Sequence, residues 1–221
     1  MDWDYSTRKP GRFSRIELRD ILVSVVVLTL AFVLMFRDTS FVTTYFRHTM
    51  GDYGVVGMVL LMLALVMLSF IAHELAHKFT AQKLGLWSEY RMFPMGLLFA
   101  PIMGLVGFLF AAPGVVYISG FVDSEQDGKI SVAGPMVNIV LSAVGIVGCI
   151  VCNGSPIVIM FYLLYTLNAS LALFNLLPIG ILDGAKVMRW DTTVWLISII
   201  IAGLLFLSNF LGLLPQIYYQ F

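Results

Sequence analysis

Charged side chains divide this sequence into uncharged runs at 21–36, 53–72, 92–122, 130–182 and 192–221. A helix needs about 20 apolar residues to cross the hydrocarbon core of a bilayer. The first run is slightly short, but Arg19 and Arg37 flank it, and long basic side chains reach back to the headgroups. Ser14 followed by Glu17 fits a capping box, which predicts that the first helix starts near Arg15. The second run makes a full span, and its helix is expected to continue over 53–84. The run 130–182 is too long for one helix and breaks at Asn153-Gly154-Ser155-Pro156, a strong turn signal. It predicts two spans, 131–152 and 157–177, with 123–129 as a preceding loop, and a last span is expected over 192–214.

The run 92–122 differs, because it carries Pro94, Gly96, Pro101, Gly104, Gly107, Pro113, Gly114 and Gly120. Irregular backbone at membrane depth is tolerated only where it packs on protein or lines a wet cavity. A re-entrant hairpin or short membrane-associated strands are therefore expected over 85–120, with a kinked span as the alternative.

Composition fits this pattern. Of 221 residues, 60% are hydrophobic and 12% charged, which excludes a soluble globular domain, a disordered tail and a secreted disulfide module. Two cysteines cannot build a cross-linked framework, and Cys149 and Cys152 read as packing residues in an apolar helix. Thirteen basic residues balance thirteen acidic ones, so no net charge points to nucleic acid. The expected fold class is membrane all-α: one domain over 1–221, built as a polytopic bundle of five or six spans with a small re-entrant or β segment. Arg8, Lys9, Arg12, Arg15 and Arg19 precede the first span, which places the polar segment 1–20 in the cytoplasm of a multi-pass cell-membrane protein. Lys78, Lys83 and Arg91, then Lys186 and Arg189, fit the same side, and Lys78 reads as a snorkelling charge. Trp87, Tyr90, Trp190 and Trp195 sit beside these clusters as interfacial aromatics. The N-terminus shows no signal-peptide pattern.

Two of the three histidines belong to His73-Glu74-Leu75-Ala76-His77, an H-E-x-x-H pattern. On a helix, positions i and i+4 share one face, so both imidazoles can reach one Zn²⁺. Glu74 then stands beside the first ligand as a general base for the attacking water. A chance match is expected about once in a thousand chains of this composition. A catalytic zinc needs a third protein ligand. His48 lies at the far end of the second span, in a segment read as a loop, and is an ordinary loop histidine on this reading. Asp183 is the better candidate: it ends the longest uncharged run, and Pro178, Gly180 and Gly184 predict a broken helix that turns a carboxylate into the bundle. His73, His77 and Asp183 can meet only if 85–129 makes no net crossing.

With these residues in place, the sequence resembles the site-2 protease family of intramembrane metalloproteases. That family carries H-E-x-x-H in one membrane helix and N-x-x-P-x-x-x-L-D-G in a later one. Asn175, Pro178, Leu182, Asp183 and Gly184 match the second motif, and 130–138 looks like the family's helix-start segment before the third core span. The resemblance covers about 55–186 and implies a three-helix catalytic core. It further implies a zinc endopeptidase, one Zn²⁺ per chain, that cuts transmembrane helices of membrane-protein substrates. By similarity, His73, His77 and Asp183 are the metal ligands, Glu74 the general base, and Asn175 a donor to the scissile carbonyl or its oxyanion. The segment 85–120 corresponds to a membrane-associated sheet onto which an unwound substrate adds as a strand. Ser88, Gly134 and Asn138 are candidates to line a cytoplasmic water path. No PDZ-like or CBS-like appendage is visible. The competing readings are an ion or proton transporter built on the same His/Glu/Asp cluster, disfavoured by the absence of internal repeats, and a catalytically silent relative, disfavoured by the intact Glu74.

Overall fold

A computed structural model of the chain describes residues 13–37, 40–107 and 113–211. Arg8, Lys9, Arg12 and the expected end of the last span at Leu214 lie outside them. Helix α1 runs Arg15–Phe36, and the Ser14 hydroxyl accepts the Glu17 amide at 3.0 Å. The capping box is only half made, because the Glu17 carboxylate turns inward to other partners. Helix α2, Ser40–Met50, replaces the loop expected around His48. Val42, Tyr45 and Phe46 repeat at helical spacing and are buried, while Arg47 and His48 are exposed. A 3₁₀ turn at Gly51–Tyr53 leads into α3, Gly54–Lys83.

Strand β1 (Trp87–Met92) and strand β2 (Gly114–Ser119) form an antiparallel pair, with α4 (Pro94–Leu105) inserted between them in sequence. Pro94 suits the first turn of α4, where its missing amide costs nothing. Twelve residues at about 1.5 Å each fall well short of a bilayer core of about 30 Å, so α4 is not a kinked span. Trp87 pairs with Ser119, which returns the chain to the end of α3 from which it left. Helix α5, Ser124–Val151, begins there. It starts earlier than the sequence pattern suggested, because Asp123 and Gln126 form a reciprocal capping box and make 124–129 the first turns of the helix. After the turn at Gly154 come α6 (Val158–Asn175), α7 (Asp183–Trp190) and α8 (Thr192–Phe210), which Asp191 caps.

The described chain is mostly helical with this one small sheet. Among the described residues, four helical stretches are long and apolar enough to cross a membrane: Arg15–Phe36, Val42–Lys83 (α2 through α3), Ser124–Val151 and Val158–Asn175. Their outward faces are greasy. Leu22, Val26 and Leu30 on α1, and Val140, Val144, Val147 and Val151 on α5, form exposed apolar stripes. The polar residues are inside: Ser24, Ser69, Asn138, Ser142, Asn168 and Ser170 are buried. Such a distribution is a liability in water and the expected one in lipid.

A buried ionic lattice ties α1 to α3 and β1. Lys78, 2% exposed, donates to both carboxylate oxygens of Glu17 at 2.6 Å, and Glu17 also accepts the Tyr90 amide at 3.1 Å. Lys78 is therefore a paired core cation, not a snorkelling one. Asp20 accepts the Met92 amide at 3.3 Å. Tyr90 is likewise no interfacial aromatic: it is 1% exposed, its hydroxyl meets Ser24 at 2.8 Å and its ring stands edge-on to Phe70. Burial pushes the Tyr90 phenol up, so it stays protonated and available as a donor.

Candidate metal centre

His73 and His77 lie one turn apart on α3, on the face that meets α5. Each ring is fixed from behind. His73 Nδ1 lies 2.5 Å from Asn138 Oδ1, and His77 Nδ1 lies 2.7 Å from the Ile130 carbonyl oxygen. The orientation of Asn138 follows from its other bonds: its Nδ2 donates to Asn168 Oδ1 at 2.8 Å and to the Ser69 carbonyl at 3.4 Å. Its oxygen is thus the acceptor, and both imidazoles carry their proton on Nδ1. In the neutral rings the two Nε2 atoms point lone pairs at one another across 3.0 Å. Two acceptors at that distance repel unless a positive centre lies between them.

Asp183 supplies the third corner. The chain leaves α6 at Asn175, turns through Gly180 at φ +55°, and enters α7 at Asp183 after an extended Leu182. Asp183 Oδ2 sits 3.4 Å from His73 Nε2 and 3.2 Å from His77 Nε2. A tetrahedral zinc with bonds of about 2.0–2.2 Å spaces its ligand atoms about 3.3–3.6 Å apart. Three donors separated by 3.0, 3.2 and 3.4 Å fit that geometry and can hold a metal ion. Burial pushes the Asp183 carboxyl up, but with the His77 and His73 rings protonated their charge and hydrogen bonds more than offset this and hold it well below the usual carboxylate range. It is therefore in the ionised form that a metal requires.

Glu74, beside His73, is buried and lines a cavity of about 50 Å³ together with the three donors. That volume admits water. Ser131 and Asn175 line it too. Pro135 withholds the helical amide that the Ser131 carbonyl would otherwise accept. Asn175 Nδ2 donates to the Leu171 carbonyl at 2.9 Å, which leaves its second amide hydrogen for another acceptor. His48, on α2, is outside the cluster.

Sequence reasoning misplaced Ser88, Gly134 and Asn138, assigning them to a water path. Ser88 is buried and bonds the Lys78 carbonyl at 3.1 Å. Asn138, fully buried, orients a histidine. Gly134 faces both imidazoles so closely that a Cβ there would strike His77 and His73. The polar chain continues through Asn168, whose Nδ2 reaches Ser69 Oγ at 2.8 Å. The signal was present: an amide such as Asn138 or Asn168 within the uncharged run 130–182 demands a partner at membrane depth.

Comparison with known proteins agrees with this chemistry. The chain is 35% identical over 189 residues to the Methanocaldococcus jannaschii protein named "Putative zinc metalloprotease MJ0611", a match covering 84% of this chain and 90% of that one. It is 32% identical over 132 residues to the same organism's "Zinc metalloprotease MJ0392", covering 57% of this chain and 32% of that protein. No family model and no solved structure matches.

Proposed function

Because this chain belongs to the zinc metalloproteases, we propose that it is an intramembrane endopeptidase of the site-2 protease type, hydrolysing peptide bonds within transmembrane helices of membrane-protein substrates. The observation that carries this reading is the position of the His73–His77–Asp183 cluster, with its histidines buried on a helix long and apolar enough to span a bilayer and its Asp183 half-buried. On this reading His73, His77 and Asp183 hold one Zn²⁺. When bound, the metal supplies Lewis-acid polarisation of the peptide carbonyl and lowers the pKa of a water toward neutrality.

The protein side chains do the rest. Glu74 accepts the proton of the attacking water and returns it to the leaving amine. The spare amide hydrogen of Asn175 meets the carbonyl oxygen as charge builds on it, a contact often worth about 3 kcal/mol. Asn138 and the Ile130 carbonyl hold both rings in the ligating tautomer.

A helix hides its carbonyls in its own hydrogen bonds, so the substrate unwinds before it reacts. The sheet offers it new partners. Phe93 and Pro113 pair across the hairpin, so strand alternation turns the amide groups of Gly114, Val116 and Ile118 to the outer edge of β2, which lines the metal cavity. On the other side, Glu17 and Asp20 already accept the outward amides of Tyr90 and Met92. An extended peptide therefore adds at β2 and not at β1. The basic residues that follow α3 and those on α7 support an active site towards the cytoplasmic side of a multi-pass cell-membrane protein, with α8 as a fifth span.

The test is cleavage of a single-span substrate in liposomes, with the cut mapped by mass spectrometry. Wild type should cut inside the spanning segment, and Glu74→Gln should keep its zinc but lose turnover at least about a hundredfold. Cuts confined to the aqueous flanks would overturn the intramembrane reading, and normal turnover by Glu74→Gln would remove Glu74 from its role.

A further inference from the structure

We propose that the apolar groove between α4 and the turn before Asp183 is a subsite for one bulky apolar side chain of the cleaved peptide, next to the scissile bond. This rests on the endopeptidase reading above and adds the specificity determinant to it.

The groove holds about 450 Å³, and the described residues that line it are all apolar, with Phe93, Phe99 and Met103 on one side and Gly180, Ile181 and Leu182 on the other. Ile181 and Leu182 also line the metal cavity, and the next residue is Asp183. The two spaces share a wall. Their sizes divide the work. About 50 Å³ around the metal donors admits water and a reacting carbonyl but no large side chain. Side chains flanking the reacting bond need another place.

Strand geometry directs them to the groove. Gly114 pairs with Met92, and the Phe93 amide donates to the Pro113 carbonyl at 2.8 Å. The Gly114 end of β2 is therefore the end nearest Phe93, and the metal cavity lined by its outer edge meets the groove at Ile181 and Leu182. A peptide paired along β2 leaves the metal cavity at that end. Alternate side chains of a strand point to opposite faces, so one of them enters the groove while its neighbours do not. Among the described residues the groove has no charged or polar lining residue, so it selects an apolar side chain by size. Pockets of this kind typically discriminate by about 10–200-fold.

The experiment uses a set of substrates in which a single Leu is moved through an Ala host across the cut site, with zinc-loaded full-length protein in liposomes. One position should show a Leu-over-Ala preference in kcat/KM of about tenfold or more. Met103→Trp, which fills the groove, should bring that ratio to about 1, and Phe99→Ala, which enlarges it, should shift preference from Leu towards Trp. Leu98→Trp, outward on α4, should leave the ratio unchanged. An unchanged ratio in both Met103→Trp and Phe99→Ala overturns the subsite. So does wild type that cleaves every substrate alike, which leaves the endopeptidase reading standing; wild type that holds zinc and cleaves none of them overturns both. A readout independent of turnover uses Glu74→Gln with a benzophenone amino acid at position 99. Adducts to the substrate peptide are expected, and adducts to lipid alone overturn the assignment.

Discussion

Asn138 shows how a single amide holds the metal cluster together. Its oxygen meets His73, while its nitrogen reaches Asn168 and Ser69, so one side chain orients a ligand and joins α3, α5 and α6. Asn138→Ala should lower zinc affinity about 10–100-fold, measured by chelator competition, with little change in helix content. Gly134→Ala should be harsher: the new methyl falls on both imidazoles, and purified protein should retain little or no zinc by elemental analysis. At this scale the sequence was legible where the signal is local. His73, Glu74 and His77 announce themselves because their spacing matches one helix turn. Asp183 could be inferred from the surrounding Pro and Gly. Lys78 was misread because its partner, Glu17, lies 61 residues away and no local pattern links them.

Among elements, the uncharged runs mark the apolar helices, and the density of Pro and Gly marks the segment that is not a span. Where helices begin was harder to read. Charged residues at 123–129 looked like a loop, yet Asp123 and Gln126 cap a helix there. The segment around His48 reads as a loop in the sequence, yet Val42, Tyr45 and Phe46 give α2 a buried face. The clearest prediction between elements concerns the Lys78–Glu17 pair. Lys78→Met leaves Glu17 as an unpaired buried charge, so thermal unfolding in detergent should show a loss of about 3–5 kcal/mol. Adding Glu17→Gln should recover most of it, because two neutral groups need no counter-charge. A double variant no better than the single one would mean that the Tyr90 amide bond, not the charge pair, carries the cost.

For the whole molecule, the connection from α3 to α5 decides whether the metal donors can meet. Since Trp87 pairs with Ser119, residues at the end of α3 and the start of α5 belong on one face of the bilayer. In a chain with Cys149 and Cys152 replaced by Ala, Leu84→Cys and Ser124→Cys should react with an impermeant thiol reagent from one side of sealed vesicles. Asn153→Cys should react from the other, because α5 at about 1.5 Å per residue reaches across the membrane. Leu84 and Ser124 labelled from opposite sides would contradict the hairpin.

The lattice around Glu17 and Asp20 also bears on how the protein is made. Helix α1 leaves the ribosome before α3 and β1, carrying Glu17, whose partners Lys78 and the Tyr90 amide have yet to be synthesised, and Asp20, which has its neighbour Arg19 but not yet the Met92 amide. At about 5–20 residues per second, that wait lasts several seconds. During it the charged end of α1 must stay hydrated at the translocon or the bilayer surface, and Glu17 can settle to its final depth only when α3 and β1 arrive.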